Sequence, residues 1–288
     1  MKTIGVVANI EKPQAKSVLA QLAATAKRLG LRLVAEPSAA RWLPGARIAK
    51  PNRFGHNLDA ILALGGDGTL LHAARLVHLS ETPILGINLG NLGFLTSATV
   101  DELDEGLALL AQGGYRISPR TVAEVTVTRG GKKLGTFRAL NDIVVGWGRS
   151  SRISTLAVEV DSEAITSYRC DGLIISTPTG STGHSLSAGG PILHPEADVL
   201  LLNVICPHTL STRPIVLPDR SQLSITVAGA AKQLLLSVDG QEELLVEQGD
   251  RLAIKRSTRS VSLIHLPGYR YFGVLRQKLQ WSGSSGRA

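Results

Sequence analysis

The first hundred residues alternate short apolar runs with longer segments in which apolar residues recur every three or four positions. Short apolar runs are typical of buried strands, and the three-to-four spacing is typical of helices with one buried face. Strands that alternate with helices predict a parallel α/β sheet. The predicted strands are TIGVVAN (3–9), RLVAEP (32–37), DAILALGG (59–66) and TPILGIN (82–88), and the predicted helices are 13–29, about 69–78, and one opened by a TVDE capping box at 99–102.

The pattern changes near residue 120, where β-branched and apolar residues alternate with polar ones between short turns. This period of two favours an antiparallel sheet or sandwich. After Pro267 the period becomes helical again, with Phe272, Leu275 and Leu279 on one face. We therefore predict an α/β domain over residues 1–118, a β-rich domain over 119–266, and a C-terminal segment, 267–288, that packs back on the first domain.

Composition narrows the classes of protein that the chain can be. The formal net charge is +8, but the basic residues are dispersed and aromatic residues make up only 4%. A solvated basic surface that suits an anionic ligand is therefore favoured over nucleic-acid binding. The two cysteines, Cys170 and Cys206, have no metal-ligand spacing and favour a reducing, cytoplasmic setting. We expect no membrane span and no secretory signal, because no apolar run is long enough and no cleavage region follows Met1.

The third predicted strand ends in the sequence GGDGT, which comprises Gly65, Gly66, Asp67, Gly68 and Thr69. It matches neither the P-loop, which needs a lysine, nor the dinucleotide fingerprint, which needs another glycine. Glycines let a ligand approach the backbone, and the amides at a helix N-terminus favour an anion. The carboxylate of Asp67 has two interpretations: it caps the helix, or it faces a hydroxyl or a phosphate-bound cation, as phosphoryl transfer requires.

Two further stretches are rich in hydrogen-bonding groups. Asn141 and Asp142 precede a predicted strand, where they form either a turn or a polar contact with a ribose or base. The segment 170–193 has a buried-strand pattern followed by a long run of Ser, Thr and Gly, and such long polar loops are usually functional. Asp171 either forms a turn at the end of the strand or binds a ribose hydroxyl pair or an amide. His184 is interpreted as a contact, since no acid or metal partner lies nearby in sequence.

GGDGT alone resembles a signature shared by NAD kinases, by diacylglycerol and sphingosine-type lipid kinases and, in variant form, by phosphofructokinases. The remaining motifs narrow the resemblance to the NAD kinase family of the ATP-dependent, bacterial type, because they occur in the same order over nearly the whole chain. The family's fold is a Rossmann-like α/β domain joined to a β-sandwich-like domain. The motifs that carry the resemblance are GGDGT (65–69), GINLGNLGFLT (86–96), ND (141–142), DGLIISTPTGSTGHSLSAGGPI (171–192), RPIVLP (213–218) and SVDGQ (237–241).

The resemblance implies phosphorylation of NAD by ATP to give NADP, with Mg²⁺ accompanying ATP. It implies that Asp67 activates the 2′-hydroxyl of the adenosine ribose, and that the subunits form a homodimer or homotetramer. Gly65, Gly66 and Thr69 are implied to form the phosphate loop, and Gly68 and His72 are implied to flank the phosphates of the dinucleotide. The implied dinucleotide contacts are Asn141, Asp142, Arg152, Arg169, Asp171, Thr182, Gly183, His184, Ser185, Leu186, Ser187 and Gln241, the last from the same or a neighbouring subunit.

The chain departs from the family pattern at two places. Asp142 stands where the family often has Glu, and Gly183-His184 where it often has Ala-Tyr. The histidine replaces a stacking aromatic and introduces a group that titrates near neutral pH. The sequence leaves open whether NADH is accepted and which phosphoryl donors serve. A lipid kinase and a non-catalytic dinucleotide sensor or RNA binder are the rival hypotheses.

Overall fold

The computed structural model describes residues 2–49, 54–77, 80–90, 93–146, 153–209, 211–230 and 233–281 of the chain. The chain falls into two units, one formed by residues 1–119 with 261–288 and the other by residues 120–260. Each unit has its own hydrophobic core of mostly aliphatic side chains.

The first unit is built on an eight-stranded sheet. Its first strand pairs in parallel with the second on one side and with the fourth on the other, so the strand order reverses between them. Every residue of the first and fourth strands is buried, as expected for parallel strands covered on both faces. Ligands of open α/β sheets bind beyond the carboxyl ends of strands at such a reversal, and GGDGT lies there.

The strands of this unit run in the order β3-β2-β1-β4-β5-β20-β7, with β6 paired to β5. They are β1 (Thr3–Ala8), β2 (Arg32–Ala35), β3 (Arg47–Ile48), β4 (Ala60–Gly65), β5 (Ile84–Asn88), β6 (Ala98–Thr99), β7 (Arg116–Arg120) and β20 (Val261–His265). Its helices are α1 (Ala15–Arg28), α2 (Pro37–Ala40), α3 (Asp67–Leu76), α4 (Leu103–Gln112) and α6 (Tyr271–Lys278).

The last strand and helix correct two expectations. The pattern over 251–266 reads as part of the β-rich domain, but β20 pairs in parallel with β5 in the first unit. The apolar residues of β20 would be buried in either sheet, so the hydrophobic pattern does not predict which strand β20 pairs with. In α6 the buried residues are Val274 and Leu275, whereas Phe272 of the predicted stripe is 64% exposed.

The TVDE capping box also differs from expectation. The carboxylate of Glu102 accepts the backbone N–H of Thr99 at 2.7 Å and the hydroxyl of Thr99 at 2.9 Å. The helix nevertheless begins at Leu103, because a turn intervenes in which the Leu103 N–H donates to the Val100 carbonyl.

The second unit consists of two six-stranded antiparallel sheets whose inner faces form one apolar core. One sheet has the order β15-β14-β13-β10-β17-β18 and the other β12-β11-β16-β19-β8-β9. The strands are β8 (Ala123–Arg129), β9 (Lys132–Ala139), β10 (Asp142–Gly146), β11 (Ser154–Val160), β12 (Glu163–Cys170), β13 (Gly172–Ser176), β14 (Val199–Ile205), β15 (Ile215–Pro218), β16 (Leu223–Gly229), β17 (Leu234–Val238), β18 (Glu242–Val246) and β19 (Arg251–Arg256), with helix α5 at His184–Ser187.

A parallel α/β unit, a unit of two antiparallel sheets and a C-terminal return to the first unit confirm the predicted fold class. Within the described ranges, no helix combines the length and apolarity needed to cross a membrane.

Candidate active site

The helix that follows GGDGT begins immediately after β4. Gly66 is the N-cap of α3 and has no side chain with which to cap it, and Asp67 is the first helical residue. The interpretation of Asp67 as the helix cap is therefore wrong. An acid in the first turn still interacts favourably with the helix dipole.

The Asp67 carboxylate binds the loop that follows β5. The Phe94 N–H donates to Asp67 Oδ2 at 2.9 Å, and the Leu95 N–H donates to Oδ1 at 3.0 Å. Because β4 and β5 are parallel neighbours, their carboxyl ends share one edge of the sheet. The two glycine-rich motifs that follow these strands, GGDGT and the loop after β5, therefore meet at the Asp67 side chain.

The same loop is tied to β5 by a buried threonine. Thr96 Oγ1 accepts the Gly93 N–H at 3.0 Å and the Asn88 Nδ2–H at 3.3 Å. Asn91 and Leu92 of this motif lie outside the described residues. The carboxylate of Asp67 and the hydroxyl of Thr96 together set the path of the loop from 93 to 96.

Gly93 lies directly against the Asp67 carboxylate, and this contact gives a first prediction. A Cβ on residue 93 would lie 1.9 Å from Asp67 Oδ1 and 2.6 Å from its Cγ. We expect Gly93→Ala to displace the carboxylate and to lower kcat/KM at least tenfold, or about 1.4 kcal/mol of transition-state stabilisation. Steady-state kinetics of the purified variant measure this change.

Gly90→Ala is the matched control in the same loop. The nearest atom to a Cβ at residue 90 is Asn88 Oδ1 at 3.7 Å, which is an ordinary contact. It should leave kcat/KM close to the wild-type value. Equal losses of kcat/KM in the two variants would show that activity depends on the conformation of the loop rather than on the position of the Asp67 carboxylate.

His72 is held between two charged residues. Its Nε2 lies 3.1 Å from Glu36 Oε2, and Arg75 Nη2 lies 3.2 Å from its Nδ1. Since arginine only donates, Nδ1 accepts and the ring proton is on Nε2, facing Glu36. Burial acts to raise the pKa of Glu36, but hydrogen bonds from His72 and Ser38 lower it below its usual value. Both ring nitrogens thus have protein partners, and the phosphate contact of His72 stays a prediction.

The second unit contains a pocket of about 270 Å³ at the start of β10. Three of the residues predicted to contact a dinucleotide meet there, namely Asn141, Asp142 and His184. The remaining lining residues come from β10, from β17 and from the turn between β17 and β18: Val144, Ser237, Asp239 and Gly240. Asn141 Oδ1 is buried and has no hydrogen-bond partner among the described residues.

Asp239 holds the start of β10 in place. Its carboxylate accepts the backbone N–H groups of Leu140, Asn141 and Asp142 at 2.9, 2.7 and 3.0 Å. In return, the Asp239 N–H donates to the Asp142 carbonyl at 2.9 Å. The Asp-Gly turn after β17 therefore does more than reverse the chain, because it positions the two polar residues that precede and begin β10.

Models of known families match both units. The ATP-NAD kinase N-terminal domain matches residues 4–115, and the ATP-NAD kinase C-terminal domain matches residues 140–266. The NAD kinase of Geotalea daltonii is 41% identical over 98% of this chain and 99% of its own, and that of Geobacter sulfurreducens is 40% identical with the same coverage.

The chain belongs to the NAD kinase family.

Solved structures agree with the fold. Yeast NADH kinase complexed with NADH has a TM-score of 0.92 at 23% identity, covering 100% of this chain and 90% of its own. An NAD kinase from Archaeoglobus fulgidus in complex with ATP has a TM-score of 0.75 at 24% identity, covering 98% and 100%.

In this NAD kinase family member, the long run of Ser, Thr and Gly within 170–193 forms hydrogen bonds within its own loop. A 3₁₀ turn, Thr179–Thr182, is followed directly by α5. Ser181 Oγ donates to the Pro178 carbonyl at 2.7 Å and accepts the Leu193 N–H at 3.0 Å. Ser185 is fully buried, and its hydroxyl lies 3.4 Å from Asn203 Nδ2. These hydroxyls stabilise the loop, whereas the exposed His184 reaches the pocket.

Of the other predicted contacts in this run, Gly183 lies beside the pocket. A Cβ built on it would lie 3.8 Å from Asn141 Nδ2 and 3.9 Å from Asp142 Oδ2. The Thr182 hydroxyl donates to the Thr179 carbonyl at 3.3 Å. Leu186 is half-buried and Ser187 is exposed on α5.

Asp171 and Arg169 lie at a different place from the pocket. Asp142 is opposite Ser176 on β13, whereas Gly172 is opposite Gly146 at the other end. Asp171 precedes Gly172, so at about 3.4 Å per residue it lies roughly 14 Å or more along the sheet from Asp142. Hydrogen bonding to Asp171 raises the pKa of the exposed Cys206 thiol, and burial adds to the shift. Arg169 is exposed on β12, in the other sheet.

The last two predicted contacts are Gln241 and Arg152. Gln241 closes the turn between β17 and β18, where its N–H donates to the Val238 carbonyl at 3.0 Å. Arg152 lies outside the described residues. Sequence reasoning missed Asp239, although it lies inside the SVDGQ motif, because an Asp-Gly pair is explained by the turn alone.

Proposed function

We propose that the chain phosphorylates the 2′-hydroxyl of the adenosine ribose of NAD with ATP, giving NADP and ADP, and that Asp67 is the general base. Membership of the NAD kinase family over nearly the full chain supports the overall reaction. The observation that carries the assignment of Asp67 is its carboxylate at the first turn of α3, held by two backbone N–H groups. Each carboxylate oxygen has a second lone pair left to accept a proton.

In the proposed reaction, the 2′-oxygen attacks the γ-phosphorus of ATP as its proton moves to the Asp67 carboxylate. The bond between the γ-phosphorus and the β–γ bridging oxygen breaks, and ADP leaves with that electron pair. General-base help typically contributes about 10²–10⁴-fold. Most of the remaining acceleration in phosphoryl transfer comes from positioning and charge neutralisation. Gly68 and Thr69 lie in the first turn of α3, at the positive end of the helix dipole, which favours a nearby anion.

The dinucleotide contacts are assigned to the second unit. Asn141, Asp142 and His184 line one pocket, and the buried, unpartnered Asn141 Oδ1 is an acceptor suited to a hydroxyl or amino group. Further contacts are proposed for the other predicted residues: Arg152, Arg169, Asp171, Thr182, Gly183, Ser185, Leu186, Ser187 and Gln241.

Magnesium is treated as part of the MgATP substrate. In the described parts of the chain, no group of three or more His, Cys, Asp and Glu side chains is placed to hold a metal ion. Mg²⁺ is commonly bound through substrate phosphates and water rather than by an all-protein cage. We therefore assign Mg²⁺ to the phosphates of ATP, and no step is assigned to a resident metal ion. A cytoplasmic setting and a homodimer or homotetramer complete the proposal.

A coupled assay tests the reaction. Purified protein is incubated with NAD and MgATP, and NADP is detected with a dehydrogenase specific for NADP. We expect NADP to form in proportion to enzyme. Parallel reactions replace NAD by NADH and ATP by other nucleotides or polyphosphate, which defines the acceptor and the donor.

The rival activities have their own readouts. Vesicles containing diacylglycerol or sphingosine, supplied with labelled ATP, test for lipid phosphorylation. Labelled lipid without NADP would favour the lipid kinase, and NAD binding without NADP from any donor would favour a non-catalytic sensor. Either result would overturn the proposed function.

A further inference from the structure

Two carboxyl groups line the pocket of the second unit, and they have unequal hydrogen-bonding environments. Asp239 accepts three backbone N–H bonds. Asp142 is only 7% exposed, yet none of the described residues donates a hydrogen bond to its carboxyl group. Ser176, directly opposite on β13, turns its hydroxyl to the Thr177 carbonyl at 2.9 Å. The Asp142 carboxyl is thus a buried polar group that lines the pocket, where a ligand could supply its hydrogen-bond partner.

Two neighbouring carboxyl groups in a pocket resist being ionised together, because the charge on one raises the free energy of ionising the other. The negative charge is more stable on the group with N–H donors, which here is Asp239. Burial raises the pKa of Asp142 to about 7, and the charge of Asp239 adds to the shift. Burial raises the pKa of Asp239 above its usual value as well, and its three backbone hydrogen bonds oppose that shift, whereas no such bonds oppose the shift of Asp142.

Among the described residues, the other titratable groups near the pair are Glu242 and His184. Glu242, on β18, acts on Asp239 and raises its pKa further. His184 is exposed and lines the same pocket as Asp142. No lysine or arginine is among the described residues that line the pocket.

We propose that Asp142 contacts NAD as a neutral carboxylic acid that donates a hydrogen bond, and that Asp239 is the positioning residue that keeps the proton on Asp142. The partner on NAD is then a hydrogen-bond acceptor, such as a ribose oxygen, a ring nitrogen or the amide carbonyl. This role deepens the proposed function and rests on it. An ionised Asp142 would accept from a hydroxyl instead, so the two states predict opposite pH dependences.

The test is the affinity for NAD measured by calorimetry from about pH 6 to about pH 8.5, without ATP or metal. Omitting ATP removes a donor whose terminal phosphate titrates in this range, and the diphosphate of NAD has no such ionisation. A neutral Asp142 is present below its pKa and is lost as pH rises through it. We expect the Kd for NAD to be constant at the acid end and to rise up to about tenfold per unit above pH 7.

Three variants separate the groups. Asp142→Asn keeps a neutral donor of the same shape, so it should bind NAD with little pH dependence and close to the affinity of the wild type at acid pH. His184→Gln should retain the pH dependence, which excludes the histidine as its source. Asp239→Asn removes the neighbouring charge and should shift the loss of affinity to lower pH, with thermal denaturation reporting whether it is folded.

Several outcomes would overturn the inference. They are a wild-type affinity that is flat or improves with pH, an Asp142→Asn variant with the wild-type slope, or a slope abolished by His184→Gln. The first two variants decide the matter even if Asp239→Asn does not fold. If NAD binds at no pH, the proposed function itself fails, whereas binding without the expected slope overturns this inference alone.

Discussion

Replacing Asp67 by asparagine is expected to lower kcat by about 10²–10⁴-fold while NAD still binds. Asparagine has nearly the same shape but cannot take the proton of the 2′-hydroxyl. Steady-state NADP formation measures kcat, and calorimetry with NAD alone measures binding. A variant with near-normal turnover would refute the assignment of Asp67 as the base.

The same substitution also disturbs the loop after β5, because the Asp67 carboxylate accepts the N–H groups of Phe94 and Leu95. Thr96→Val is the matched control, since it removes the acceptor for the Gly93 N–H and leaves Asp67 intact. Leaving a buried N–H unpaired costs about 1–3 kcal/mol of stability. We expect Thr96→Val to lower the melting temperature but to reduce kcat far less than Asp67→Asn. Similar losses of kcat would mean that Asp67 acts chiefly by holding the loop.

Gly180→Ala is expected to damage both the second unit and its pocket. A Cβ on residue 180 would lie 2.1 Å from the Asn141 carbonyl oxygen and 2.7 Å from its Cα. That carbonyl already accepts the Thr177 N–H at 2.9 Å, so it cannot move without breaking the bond. Overpacking of this kind typically costs about 1–3 kcal/mol, here with a backbone rather than a flexible side chain as the obstacle.

Because Asn141 and Asp142 move with that backbone, NAD affinity should fall by at least about tenfold, or 1.4 kcal/mol. Urea denaturation measures the free energy of unfolding, and calorimetry measures the affinity. Gly229→Ala is the control in the same unit, since its nearest neighbours are side-chain atoms of Thr155 at 3.6 Å. If Gly180→Ala were as stable as Gly229→Ala and bound NAD normally, the close approach of residue 180 to Asn141 would not matter for the site.

The hydrophobic pattern predicted most elements of the chain because each period follows from local geometry. The helix at 13–29 is observed as Ala15–Arg28, and the strand at 3–9 is observed as Thr3–Ala8. Strand β20 shows the limit of this reasoning, since a buried apolar strand has the same hydrophobic pattern in a parallel and in an antiparallel sheet. Its pairing with β5 is a long-range choice.

Residues of the candidate site could be predicted where they lie within a sequence motif. Their hydrogen-bond partners could not be predicted where those partners are distant in sequence. Asp67 stands out among its glycines, but its bonds to Phe94 and Leu95 span more than 25 positions. Asp239 is 97 residues from Asp142 in sequence. Its three hydrogen bonds to backbone N–H groups could not be predicted, because a turn is a sufficient explanation for an Asp-Gly pair.

The sequence by itself determined the fold class, the order of the motifs and, through them, the NAD kinase family. Those properties depend on periodicity and on residue types at fixed spacing, which a linear chain displays directly. The tertiary structure alone decided that Asp67 is not a helix cap, that Ser181 and Ser185 serve the loop, and that Asp142 shares its pocket with Asp239. Hydrogen bonding, burial and charge proximity depend on which groups meet in space, and these environments, rather than residue identity, set the protonation of a carboxyl group.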